Sequence, residues 1–176
     1  MIPWLTCRRT GSRLATLAVL AGMLASGIVS ADTKGAVATQ AGAAKNSEAV
    51  VRVSASADRP DAAGNQVVTV TLAIDEGWHV YANPPGLGDL ASVQTTLTVN
   101  TRVEGARVAY PQGRVIKDGV LGDYLVYDGT TGIKAYVRRA AGDTGPLQVS
   151  VRFQACCHVP GHEKCLTPAT VTVVVP

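Results

Sequence analysis

The chain has 176 residues, with 16 Lys and Arg against 13 Asp and Glu and a formal charge of +3. Three of those arginines (Arg8, Arg9, Arg13) lie within residues 1–31, which hold no acidic residue, so the remainder carries 13 charges of each sign. A nucleic-acid-binding domain would show a clustered excess of Lys and Arg; none is present, and nucleic acid is excluded as an expected partner. Residues 1–31 read as a secretory signal peptide: the three arginines, an apolar run from Leu14 to Val29, then the small residues of Val29-Ser30-Ala31. That run is about 16 residues, short of the roughly 20 that cross a bilayer, so cleavage is expected and Cys7 leaves with the signal. Residues 32–48, rich in Ala, Gly, Thr, Lys and Gln without apolar periodicity, read as a flexible leader. Residues 49–176 are then expected to form one exported domain, with no membrane insertion of the mature chain.

That domain is predicted to be all-β. Val50 to Val53 opens it, followed by strands over 67–74, 95–99, 107–110, 124–127, 133–137, 147–153 and 170–175. Val and Thr dominate and often alternate strictly, as in Val68-Thr69-Val70-Thr71-Leu72, the period of a half-buried strand. Turn chemistry separates the strands at Ala63-Gly64-Asn65, Asn83-Pro84-Pro85-Gly86, Asp128-Gly129 and Gly142-Asp143-Thr144-Gly145-Pro146. No stretch shows a helical period with caps. Short strands at this spacing predict an immunoglobulin-like antiparallel β-sandwich. Trp78 is expected to be a core aromatic, and His79 and Tyr81, which share strand parity, to lie on an exposed polar face.

Cys156, Cys157 and Cys165 fall within one segment, 153–168, together with His158 and His162. In an oxidising compartment two of the three should pair. The strand over 147–153 runs into this segment and that over 170–175 runs out, so a hairpin turning at Pro160-Gly161 brings Cys165 beside Cys156 or Cys157. A vicinal Cys156–Cys157 bridge would close a strained eight-membered ring and is the least favoured pair. Strand parity from Val149, Val151 and Phe153 directs Cys157 inward and Cys156 outward, which would make Cys156 the accessible sulfur and Cys157 a small buried side chain. Three readings stand side by side. The bridge is a structural staple of the hairpin; or it is exchangeable, with His158 or His162 stabilising a thiolate; or Cys157, His158, His162 and Cys165 bind zinc or copper.

Two further patterns bear on the choice. Gly77-Trp78-His79-Val80-Tyr81-Ala82-Asn83-Pro84-Pro85-Gly86, and Phe153-Gln154-Ala155-Cys156 followed by Cys165-Leu166-Thr167-Pro168, resemble the N-terminal periplasmic domain of DsbD, the thiol:disulfide interchange protein. Tyr127-Asp128-Gly129 is similar to that family's Tyr-Glu-Gly. The resemblance implies an immunoglobulin-like fold with Cys156 and Cys165 as the redox pair on an edge hairpin. It also implies electron transfer from a thioredoxin-like or DsbD-type donor to oxidised periplasmic proteins, with Cys156, pointed outward by parity, as the sulfur attacked first or attacking. Sulfur carries such chemistry, so no cofactor is expected. The chain departs from the family in a longer loop between the cysteines, in the extra Cys157, and in Thr167. Where the family has an Asp-Glu-Phe cap, this chain has Asp118-Gly119-Val120-Leu121-Gly122, so the resemblance makes Asp118 a candidate for proton transfer and puts Val120, or Leu121, in place of the shielding aromatic. The membrane-embedded carrier and thioredoxin-like domain of full-length DsbD do not appear in the sequence, so the electron donor is expected to be another polypeptide.

Overall fold

Alternation of Val, Leu and Thr builds the sheet with the longest strands. In the computed structural model, which describes residues 46–101, 103–159 and 162–176, strands β1 (Val51–Ala57), β2 (Asn65–Ile74), β8 (Thr130–Arg138) and β5 (Gly105–Ala109) lie in the order β1-β2-β8-β5. Every second residue of β2 (Val68, Val70, Leu72, Ile74) is buried, as are Ile133, Ala135 and Val137 of β8. The expected signal peptide, Cys7, the leader up to residue 45 and the Pro160-Gly161 turn lie outside the described residues.

Two further sheets, of shorter strands, cover that apolar face. One has the order β12 (Ala169–Val175), β9 (Leu147–Phe153), β4 (Thr96–Val99). The other runs β11 (Lys164–Cys165), β10 (Ala155–Cys157), β3 (His79–Tyr81), β7 (Tyr124–Tyr127), β6 (Arg114–Ile116). All pairings within the sheets are antiparallel. Leu97, Val149, Val151, Phe153, Val80, Ala155 and Tyr127 join the β2 and β8 residues in one core. The protein is an all-β, immunoglobulin-like antiparallel sandwich. Among the described residues no helix is long and apolar enough to cross a membrane.

The chain changes sheets at Gln154. β9 pairs with β12 up to Phe153↔Ala169, and after one intervening residue β10 pairs with β3 and β11 instead. A backbone leaving one ladder for another strands its polar groups, and buried ones need partners. Ser47 supplies one: its hydroxyl accepts from the Ala155 N–H at 2.8 Å and donates to the Thr167 carbonyl at 2.8 Å. Gln154 Nε2 donates to the Leu166 carbonyl at 2.9 Å. Residues 46–48, expected to belong to the flexible leader, are thus built into the fold: Ser47–Ala49 form a 3-10 turn capped by Asn46, and Ser47 is fully buried.

A second excursion matters more for function. Between β3 and β4 the chain turns at Asn83–Gly86, where Gly86 takes φ +84°, a conformation that disfavours any side chain. It then crosses the outer face of the five-stranded sheet and returns at Thr95, whose N–H and hydroxyl both donate to the Tyr81 carbonyl, at 2.9 and 2.7 Å. Leu87, Leu90 and Val93 of this excursion pack with Ile116 on Tyr81, Tyr124, Val126 and Cys156, forming a second, smaller apolar cluster outside the sandwich core.

Candidate functional site

Three adjacent strands line up His79, Cys156 and Cys165: Cys156 of β10 faces His79 of β3 on one side and Cys165 of β11 on the other. Cys156 and Cys165 form a disulfide with Cα atoms 4.1 Å apart. The Leu166 N–H donates to the Ala155 carbonyl at 2.9 Å, so the cysteines occupy the neighbouring narrow pair, where antiparallel side chains approach most closely.

The two ends of the bridge differ. Cys165 sits on a two-residue edge strand and is exposed, whereas Cys156 is 0 % exposed. Parity places the adjacent cysteines on opposite faces as expected, with Cys157 fully buried in the inner core. The expectation that Cys156 is therefore the accessible sulfur is corrected: its face is not solvent but the outer cluster laid down by the 82–95 excursion. The same covering corrects the expectation for His79 and Tyr81, which are 5 % and 8 % exposed rather than on a solvent-facing surface.

The surroundings of Cys156 Sγ are aromatic and hydrogen-bonding. The Tyr81 hydroxyl donates toward the sulfur at 3.6 Å. Tyr81 packs on Tyr124 with ring centroids 5.9 Å apart, and His79 stands edge-on to His158 at 4.8 Å. The Tyr124 hydroxyl and His158 Nδ1 are hydrogen-bonded at 3.0 Å. Burial, helped by the charges of His158 and Arg114 and opposed by Asp128, pushes His79 down to about 4, so it is neutral at physiological pH. Its Nε2 is buried without a hydrogen-bond partner. Burial also raises both tyrosines above the usual phenol range; for Tyr124 the neighbouring Tyr81 and Asp118 add to it.

The remaining candidates are spread out. Asp118 Oδ1 accepts from the backbone N–H groups of Val120 and Leu121 at 2.8 and 2.9 Å, and those bonds hold its carboxyl below the usual range. Val120 is 94 % exposed and Leu121 also exposed, so neither covers the sulfur as the resemblance implied. Tyr81, Tyr124 and the excursion do so instead. His162 is exposed, and its backbone N–H donates to the Val159 carbonyl. The quartet of Cys157, His158, His162 and Cys165 is not brought together. Cys157 faces the inner core and Cys165 is bonded to Cys156, while among the described residues no three His, Cys, Asp or Glu side chains converge as a metal site. Trp78 is a core aromatic, with the Lys164 ammonium 5.4 Å from its ring centre. Sequence reasoning missed Tyr124 and Ser47; the alternation of Tyr124 with Val126 in β7 was a signal for the first, and nothing local marked the second.

No curated protein matches this chain. Among solved structures, the N-terminal periplasmic domain of ScsB from Proteus mirabilis aligns with a TM-score of 0.48 and 19 % identity, over 70 % of this chain and 44 % of that one. The chain thus spans less than half of that structure. The reduced N-terminal domain of Neisseria meningitidis DsbD aligns with a TM-score of 0.41 and 16 % identity, over 65 % of this chain and 78 % of that one. The sequence profile of the N-terminal domain of the thiol:disulfide interchange protein DsbD matches residues 42–175. A match over that span, with the bridged cysteines inside it, shows that this chain belongs to the DsbD N-terminal domain family.

Proposed function

We propose that this domain passes electrons by thiol–disulfide exchange outside the cytoplasm, taking them from a thioredoxin-like donor and giving them to oxidised client proteins through Cys156 and Cys165. The single observation that carries the reading is the asymmetry of the bridge, with one sulfur on an exposed edge strand and the other fully buried. An attacking thiolate needs an in-line approach to one sulfur and a leaving group in the other. The exposed end supports Cys165 as the sulfur attacked, reversing the role that parity suggested for Cys156. A donor thiolate attacks Cys165 Sγ, the bridge breaks, and the electron pair leaves on Cys156, which takes up a proton. A second donor thiol then resolves the mixed disulfide and leaves the reduced dithiol, which reduces a client by the reverse steps. Membership of the family supports the exported setting, and the arginines and apolar run of residues 1–31 support export through a signal peptide.

The test is a trapping experiment. A thioredoxin-like protein retaining only its attacking cysteine is incubated with the oxidised chain, and the adduct is mapped by mass spectrometry. We expect an adduct on Cys165, its loss in Cys165→Ser, and a bridge poised in the rough range −150 to −250 mV. An adduct on Cys156 would reverse the assignment. Absence of any adduct, with a bridge still closed below about −300 mV, would mean a structural staple. The staple reading also expects Cys156→Ser to act only on stability, at about 2–3 kcal/mol for so short a loop.

A further inference from the structure

Cys156 is fully buried, so each reduction of the bridge leaves there a thiol whose proton must cross a covered site. Four rings line that site: His79 and Tyr81 of β3, Tyr124 of β7, and His158, which follows β10 directly. Of these four only His158 is solvent-exposed. Two hydroxyls lie between sulfur and solvent: that of Tyr81 touches Cys156 Sγ at 3.6 Å, that of Tyr124 touches His158 Nδ1 at 3.0 Å, and the two rings pack with centroids 5.9 Å apart. The other charged groups acting here are Arg114 of β6, Asp128 beyond β7 and Asp118 of the 117–122 loop. Asp118 is occupied by two backbone N–H groups, and His79, though level with Cys156 across the strands, is buried and held neutral.

Building on the exchange reading above, we propose that His158 is a positioning residue for the buried sulfur, drawing the Cys156 proton outward through the Tyr81 and Tyr124 hydroxyls when a mixed disulfide on Cys165 is resolved. In that step Cys156 S–H gives up its proton, and the sulfur's electron pair attacks Cys165 Sγ. The bond from Cys165 to the partner sulfur breaks, and the partner sulfur leaves with that electron pair and takes up a proton. One thiol and one mixed disulfide become one internal disulfide and one partner thiol. Moving the proton to the His158 imidazole leaves a thiolate–imidazolium pair of zero net charge. Losing it to bulk water would leave a lone thiolate in an apolar cluster, which burial opposes.

The experiment uses the reduced full chain and glutathione disulfide as the probe. Acid-quenched samples are resolved by mass into free dithiol, the glutathione adduct on Cys165 and the closed bridge, between about pH 5.5 and 8. We expect His158→Gln to slow closure of the adduct by about tenfold or more near neutral pH, while adduct formation changes by less than about twofold. Tyr124→Phe, which keeps the ring and removes the hydroxyl, should slow the same step and spare adduct formation, and added imidazole should restore closure in His158→Ala. Closure by His158→Gln at the wild-type rate across the range would overturn the proposal, as would equal slowing of both steps. A wild-type chain that never closes the bridge would instead remove the exchange reading, and this proposal with it.

Discussion

Cys156 and Cys157 are consecutive and both fully buried, yet they belong to two different interiors. The interior around Cys157 lies between the sheets and is dominated by Val, Leu, Ile, Ala and Phe153, side chains with no polar atom to satisfy. The interior around Cys156 is a thin second layer outside the sandwich, where tyrosine hydroxyls and imidazoles are mixed with Val126, Leu87, Leu90 and Val93. Close packing of apolar groups fixes a fold. The outer layer surrounds one sulfur with aromatic walls and a hydroxyl while leaving the sandwich core untouched. Stability and sulfur chemistry therefore rest on different sets of residues.

The sharpest way to break that division is to damage the inner layer alone. Leu72 of β2 is fully buried on the sheet opposite the site. Leu72→Ala is expected to cost about 2–5 kcal/mol by lost transfer energy and the cavity left behind. The urea midpoint should fall accordingly, while the glutathione equilibrium of the folded protein stays at its wild-type position. A shift of that equilibrium alongside the midpoint would show that the two interiors are one cooperative unit.

Acid titration separates them from the other side. His79 in the fold is held at about 4, below its ordinary value of 6.5, because burial disfavours its cation. Between those values the unfolded chain binds the extra proton, so stability rises with pH there. The contribution is intact above the unfolded value, is lost as pH falls through the window, and reaches a floor below the folded value. The full loss is on the order of 3 kcal/mol. The carboxylates with lowered values (Asp61, Asp118, Asp143) start from 3.8 and lose their contributions at lower pH. Comparing urea midpoints at about pH 7.5 and pH 4.5 therefore reads the His79 window apart from those carboxylates. His79→Phe should flatten most of this dependence; an undiminished slope would show that another group carries it.

The division was only half legible in the sequence. Long alternating runs such as 67–74 and 147–153 declare both strand and buried face, because a period of two sustained over several residues matches the pleat of a strand and not the turn of a helix. The same alternation, carried past Phe153, put Cys156 and Cys157 on opposite faces. β6, β10 and β11 are two or three residues long and show no period of their own. Which face is wet was the larger gap. Parity says that Cys156 and Cys157 differ but not that a distant excursion returns to cover one of them, and the seating of Leu87, Leu90 and Val93 on Tyr124 and Cys156 is a tertiary fact. Ser47 illustrates the same limit: a serine at the end of a low-complexity stretch becomes a buried bridge only because the chain changes sheets at Gln154.

The finest test of the outer layer is the removal of one oxygen. In the oxidised protein the Tyr81 hydroxyl donates to a neutral disulfide sulfur, a weak acceptor, at 3.6 Å. Tyr81→Phe keeps the ring packed on Tyr124 and should change stability by under about 1 kcal/mol. Reduction turns the acceptor into a thiol in equilibrium with a thiolate, and hydrogen bonds to charged acceptors contribute about 1.5–3 kcal/mol. The hydroxyl therefore favours the reduced form more than the oxidised one, and its loss should make the bridge harder to reduce. About 30 mV corresponds to 1.4 kcal/mol for a two-electron couple. The potential of Tyr81→Phe should accordingly move negative by up to about 30 mV where the thiolate is populated, and by less at lower pH. A melting temperature that falls with no change in potential would make Tyr81 a packing residue of the second layer and nothing more.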